Sequence, residues 1–477
     1  MSRTLPTRPS LEHLKKQAKA LLRDFTAGDA EAVAAFGPRR PGAAPPKLAD
    51  AQHALARAYG FASWTTLKQH VESLTGDDPM AALAAAVRLD DAQRVRDVLA
   101  RFPALTARLD EPMHEGDFGA TPLITAVHQR NRAMVDVLLD AGANIDQRSH
   151  WWAGSFGVLG IDPELDAHLM ARGATVDAHA AAQLGMLDSL RELVAADPSV
   201  VHARFGDGQT PLHVAATVEV AEFLLDRGAD IDALDVDHES TPAQYLIREH
   251  QDVVRLLVAR GCRTDILMGC ALGDIDLVRR HLDADPESVR TVVSPRWFPM
   301  RNPQAGGVIY QWSLGNGMSA HSVARAFAHD DVSQVLMART PEDLMLAIAC
   351  ESGNELAVRQ LTAGRPGLVR SFGADTLMRL PAAAQRGEAR TVQLMLDAGW
   401  PPSIANESGA TALHWAAYKG NAEMVRLLLD AGADATAVDG RFGGRPLGWA
   451  EHGAGDWDGR GYRDYDGVLA ALRNAMT

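Results

Sequence analysis

Residues 234–241 read LDVDHEST and gather Asp235, Asp237, His238 and Glu239 within five positions. Carboxylates beside an imidazole can pass a proton between them or hold a divalent cation. The same stretch also has the composition of a polar turn, since Asp recurs at 230, 232, 235 and 237 and its side chain bonds its own backbone. A second group, Asp110, Glu111, His114, Glu115 and Asp117, invites the same pair of readings. His213 and His414 each stand fourth in a recurring phrase, TPLH and TALH. A neutral imidazole at a repeated position more often orients backbone through hydrogen bonds than acts as a base. His128 falls in a turn and carries no special signal. His321 follows a tryptophan-rich stretch directly, which makes it the histidine nearest to any pocket formed there.

No phosphate-cradling glycine loop, H-E-x-x-H or G-x-S-x-G stands in the chain. Cys262, Cys270 and Cys350 are too few and too irregularly spaced for a disulfide framework or a zinc or redox pair. No metal, no cofactor and no catalytic residue is therefore assigned.

The elements that position these residues repeat. Thr210-Pro211-Leu212-His213-Val214-Ala215 returns as Thr411-Ala412-Leu413-His414-Trp415-Ala416, with weaker copies at Thr121, Thr241 and Pro446. A second phrase follows: Leu138-Leu139-Asp140-Ala141-Gly142-Ala143, Leu224-Leu225-Asp226-Arg227-Gly228-Ala229 and Leu428-Leu429-Asp430-Ala431-Gly432-Ala433. About twelve helix pairs are expected, starting near 81, 121, 160, 179, 210, 241, 265, 319, 343, 376, 411 and 446, with the one at 160 truncated. Residues 1–75 read differently. Leu11, Leu14, Ala18, Leu21, Leu22 and Phe25 form one helical face behind Ser10, a Pro-rich stretch follows, and two more helices are expected near 48–59 and 64–74. This segment is expected to cap a stack spanning 79–477.

Three stretches exceed what such a repeat needs: 147–160, 294–318 and 440–463. They hold six of the nine tryptophans, Trp151, Trp152, Trp297, Trp312, Trp449 and Trp457, and are rich in glycine. Residues 307–312, GVIYQW, read as a strand. Such insertions either fill gaps left by degenerate repeats or meet as a composite aromatic pocket. The pocket reading assigns ligand contact to Trp151, Trp152, Tyr310, Trp312, His321 and Trp449, with Asp237, His238 and Glu239 as polar neighbours.

The quoted phrases resemble the ankyrin-repeat superfamily, and over nearly the whole chain the layout is similar to a group of bacterial ankyrin-repeat proteins. The resemblance implies an all-α ankyrin-repeat solenoid with β-hairpin fingers and, here, an N-terminal helical cap. It implies binding, usually of protein partners through fingers and concave helix face, and supplies no catalytic residue. Charge agrees with that class. The net charge of −14 disfavours a nucleic-acid partner, although residues 1–75 carry eleven Lys and Arg against six Asp and Glu. The absence of a membrane-length apolar run and of an apolar leader, together with the cysteine usage, leads us to expect a cytoplasmic protein that does not engage a membrane. The favoured function is a non-catalytic scaffold for a protein or peptide. The alternative is an enzyme or small-molecule binder, with a carbohydrate as one candidate ligand, using Asp, Glu or His acid–base chemistry in an insertion-lined aromatic pocket.

Overall fold

The computed structural model describes residues 10–36, 46–61, 64, 67–68, 71, 78–113, 118–455 and 463–476. Every described element is helical, and no strand occurs among them. Helix pairs arise because each helix receives its own cap. Thr121 accepts from the Ile124 N–H. Asp91, Asn131, Asp274, Asn354 and Asn421 do the same at the starts of second helices. Second helices end at glycines such as Gly142 and Gly432, with φ of 98° and 89°, a conformation other residues rarely adopt.

A helix or helical turn begins near each of the twelve expected starts. The copy at 160 is truncated as expected, one helix, Pro163–Ala171, without a second. One departure has a simple cause. The copy at 210 opens as a four-residue 3₁₀ turn, Pro211–Val214, where an α-helix is expected. It has three residues fewer than its strong partner: Thr210 to Asp226 corresponds to Thr411 to Asp430. Thr217 must already cap Val218–Asp226, so no full α-turn fits between them.

The expected β-hairpin fingers are turns. Among the described residues they close through isolated antiparallel bridges, Phe205 with Gln209, Val292 with Ser319 and Ala405 with Thr411. The strand expected at 307–312 is absent too. Gly307 has φ of 100° and the chain enters a π-helical turn, Gln311–Gly315. Its backbone groups bond singly to a neighbouring finger, the Ile309 N–H to Ser240 Oγ at 3.1 Å and the Gly307 carbonyl to His238, so no ladder can form.

The chain forms two compact units, Met1–Ala180 and Ala181–Thr477. In the first, helix Leu11–Thr26 packs with helix Leu48–Ala58 around Leu14, Ala18, Leu55, Ala56, Leu67 and Val71. Ser10 caps its helix through the His13 N–H. Most of the helix expected over 64–74, and the Pro-rich loop before Lys47, lie outside the described residues. A second core in this unit runs from Met80 to Ala174. The second unit buries its apolar stripes pair by pair, with Trp400 and Tyr310 its largest fully buried side chains. No helix among the described residues is long and apolar enough to cross a membrane.

Candidate functional site

Two of the three insertions meet in the second unit. A cavity of about 700 Å³ is lined by Trp297 and Phe298 from one insertion and by Arg441, Phe442 and Trp449 from the other. Its remaining wall includes Arg379 and Gln385 from helix Arg379–Arg386, Trp415 from helix Ala412–Tyr418, and the turn Asn406-Glu407-Ser408.

Each wall is held by a local device. The Asn406 side chain accepts from Ser408 N and Ala410 N, which closes its turn. Asp439, 2% exposed, accepts from Arg441 N, Phe442 N, Gly444 N and the Trp449 indole, at 2.9, 2.6, 2.8 and 3.0 Å. Burial alone would raise its pKa, but these donors hold the carboxyl at about 2. Trp449 is ringed by His414, Trp415, Tyr418 and Phe442 at centroid separations of 5.2, 5.0, 6.2 and 6.1 Å. The buried indole N–H of Trp415 finds no acceptor. Arg296 pairs with Asp375 across the rim. Arg379 pairs at 2.7 Å with Glu351, and both side chains are almost wholly buried.

The acidic group at 235–239 clamps the 294–318 insertion from outside. Glu239 accepts from Arg301 N and Asn302 N at 2.9 and 2.7 Å. Asp237 accepts from Gly306 N at 3.0 Å, and His238 Nδ1 donates to the Gly307 carbonyl at 2.8 Å. Gly306 and Gly307 belong to the cavity wall. Asp235 accepts from His238 N, Ser240 N and the Tyr245 hydroxyl. Burial raises the pKa of Asp235 and of Asp237. For His238 burial works downward, but Asp207, the Gly307 carbonyl and Asp235 outweigh it and raise the pKa.

Among the residues singled out in the sequence, Trp449 lies in the cavity wall. Trp312 does not. It is 59% exposed and its ring rests 4.7 Å from that of His238. Tyr310 is fully buried and donates to Asp265 at 3.0 Å, a core position. His321 is 4% exposed and bonds Thr340 at 2.7 Å, away from the lining. Trp151 and Trp152 belong to the other unit, where they stack edge-on with each other and, through Trp151, with Phe118. Asp110 accepts from Asn144 N, and Glu111 pairs with Arg108 at the surface, while His114, Glu115, Asp117 and Trp457 lie outside the described residues. His213 and His414 are buried finger ties. Each accepts at Nδ1 from a threonine N–H, so Nε2 carries the proton and donates to the carbonyl of Ser240 or Gly444 at 3.2 Å. The three cysteines are free and buried, with Cys262 and Cys350 pushed up to about 12 by burial. Sequence reasoning passed over Asp207, Trp415 and Asp439. Only Asp439 left a signal, since it stands seven residues before Pro446, which opens the next helix, as Asp235 stands seven before Pro242.

Sequence comparison meets this geometry at the repeats. The family model for ankyrin repeats in three copies matches residues 178–268 and 344–439, and that for a single ankyrin repeat matches 118–150. Serine/threonine-protein kinase VIK of Arabidopsis thaliana is 37% identical over 76 residues, 15% of this chain and 17% of that protein. E3 ubiquitin-protein ligase XB3 of Oryza sativa subsp. japonica is 48% identical over 66 residues, 13% of this chain and 14% of that protein. The chain thus spans under a fifth of either relative, and what is shared is about two repeats long. Caps, paired helices, finger-tying histidines and family models agree that this is an all-α chain carrying ankyrin repeats.

Proposed function

We propose that the chain is a cytoplasmic binding scaffold that takes a short peptide segment of a protein partner into the cavity between its two insertions. The observation that carries this reading is the aromatic wall, Trp297, Phe298, Trp415, Phe442 and Trp449, interrupted by Arg296, Arg441 and Glu407. Rigid aromatic side chains offer contact area at little entropic cost, and charged groups at the edge fix register. An apolar anchor flanked by charged residues is the peptide this surface fits. Ankyrin repeats as scaffolds for protein partners support the same class.

A small polar ligand, such as a carbohydrate, is the second reading. It is favoured by the cavity's 700 Å³, within the usual range for small ligands, and by the Trp415 indole N–H that lacks an acceptor. One experiment separates them. The parent is screened against a displayed peptide library and a glycan and metabolite panel, and hits are titrated against Trp297→Ala, Trp449→Phe and Trp312→Ala. The peptide reading expects peptide hits that weaken by at least about 2 kcal/mol in Trp297→Ala, as for a central anchor. Trp312→Ala, outside the lining, should bind like the parent. Hits confined to glycans or metabolites favour the second reading. Hits indifferent to Trp297 and Trp449 overturn both.

A further inference from the structure

Three ligating atoms in the second unit converge, one from an imidazole and two from carboxylates. His238 Nδ1 bonds the Gly307 carbonyl at 2.8 Å. A carbonyl only accepts, so in the neutral ring Nδ1 carries the hydrogen and Nε2 presents its lone pair. That lone pair faces Asp207 Oδ2 at 3.6 Å and Asp237 Oδ2 at 3.7 Å. All three atoms lie within 4.8 Å of one another. The side chains of His238 and Asp237 are each 8% exposed, that of Asp207 17%.

Beyond His238, no cationic side chain among the described residues pairs with this set. Among the described residues, His238 is the sole ion-pair partner of either carboxylate, and no hydrogen bond reaches the Asp207 carboxylate or Asp237 Oδ2 within ordinary distance. Two nearly buried carboxylates beside an imidazole lone pair are costly to hold together without a cation. A proton on Nε2 would reach neither oxygen well, since an N–H···O bond spans about 2.7–3.2 Å. A metal ion fits the gap better. Ligand atoms about 2.1 Å from a tetrahedral ion stand about 3.4 Å apart, close to the two distances from His238 to the carboxylates.

The supporting bonds are also those a metal site uses. A ligating imidazole commonly donates its other N–H to a backbone carbonyl, as His238 does to Gly307. Asp237 Oδ1 is oriented by Gly306 N, which leaves Oδ2 aimed at Nε2. Gly208 lets the two fingers approach. Its φ is 84°, and a Cβ there would come within 2.3 Å of the Val236 side chain.

We propose that Asp207, Asp237 and His238 bind a divalent transition-metal ion, Zn²⁺ by first preference, with one coordination position open. One imidazole with two carboxylates suits Zn²⁺ and its neighbours better than Ca²⁺ or Mg²⁺, which favour all-oxygen shells. The ion ties the 205–209 turn to the 235–240 finger. Through Gly306 and Gly307 it stiffens the cavity wall. The assignment stands apart from the peptide reading, because it needs no occupant of the cavity.

The test uses the full chain, stripped with EDTA and dialysed. Zn²⁺ is titrated in competition with a chromogenic chelator, bound metal is counted by mass spectrometry, and melting is followed with and without Zn²⁺. The parent should bind a single ion per chain and melt higher with it. Asp207→Asn removes a ligand whose carboxylate makes no hydrogen bond of ordinary length among the described residues, so the variant should fold, yet bind at least about tenfold more weakly. Its metal-free melting temperature should equal or exceed that of the metal-free parent, because a carboxylate–carboxylate repulsion is gone. His238→Gln should lose binding as well. Failure of the stripped parent to take up Zn²⁺ at tens of micromolar overturns the site. So does parent-like affinity in both variants.

Discussion

Trp449 donates its indole N–H to Asp439, ten residues before it, at 3.0 Å, and Tyr245 donates its hydroxyl to Asp235, also ten residues before it, at 2.9 Å. The ring of each aromatic meets the edge of the preceding finger-tying histidine, His414 and His213, at 5.2 Å in both cases. Two repeats thus share one clamp: a buried aspartate gathers the finger's backbone N–H groups and a polar-tipped aromatic from the helix that follows. In the repeat at 406 the position holds Asn406, and Trp415, nine residues on, lacks an acceptor.

Asp439→Ala should therefore do more than remove one contact. Four donors lose their acceptor together, and a hydrogen bond to a charged group is worth about 1.5–3 kcal/mol. We expect a loss of about 3 kcal/mol by denaturant unfolding, with a change in tryptophan emission as Trp449 is released. Asp439→Asn should fall between, since one amide oxygen can still serve some of the donors. An alanine variant as stable as the parent would remove Asp439 from its organising role.

His414→Ala should cost about 1–3 kcal/mol, because the Thr411 N–H and the Gly444 carbonyl both lose their partner in a buried setting. His213→Ala should behave alike, through Thr210 and Ser240. Matched denaturation curves for both variants are the measurement. A parent-like melt accompanied by loss of ligand binding would instead place the imidazole in the binding surface.

The helix pairs were legible because their signals are local: a capping Thr, Asn or Asp, a 3.6-residue apolar rhythm, a closing glycine. The tie made by His414 followed from its repeated position for the same reason. The cavity was half legible. Shared Trp and Gly content marked the insertions, yet composition says nothing about direction. Tyr310 was therefore read with Trp312 although one is wholly buried and the other 59% exposed. His321 stood next to the insertion in sequence but turns into the helix pair it opens, toward Thr340. Asp207 lies thirty residues before Asp237, and only the folding of two adjacent fingers brings it to His238.

Glu351 and Arg379 should form the most sensitive charged pair of the second unit. Glu351 also accepts from Ser319 and Ser322, both at 3.0 Å. Glu351→Gln leaves the Arg379 guanidinium buried beside a neutral amide, and breaking such a pair costs about 3–5 kcal/mol. Burial would raise the Glu351 pKa, but Arg379 and Arg386 prevail and lower it to about 2. Its folded pKa lies below the ordinary 4.5, so its stability is complete above pH 4.5 and is lost as pH falls toward 2. A parent whose stability is flat over that window would refute the assignment.

His321 should govern the window above that. Its Nε2 donates to Thr340, whose hydroxyl donates onward to the Leu336 carbonyl, so the ring is neutral with its proton on Nε2. Nδ1 is buried without a partner. Burial, with Arg379 and Arg325 nearby, lowers the pKa to about 4 despite the opposing pull of Glu351. The folded pKa lies below the ordinary 6.5, so protons favour the unfolded chain. Stability is complete above pH 6.5 and drains as pH falls to 4, by up to about 3 kcal/mol at full protonation. His321→Gln keeps a donor for Thr340 but cannot titrate. Its unfolding free energy should fall less steeply between pH 6.5 and 4.5 than the parent's, whatever its absolute value at pH 7. Parallel slopes for the two proteins would show that the proton uptake lies at another histidine, such as His128, His281 or His414, whose pKa values burial also lowers.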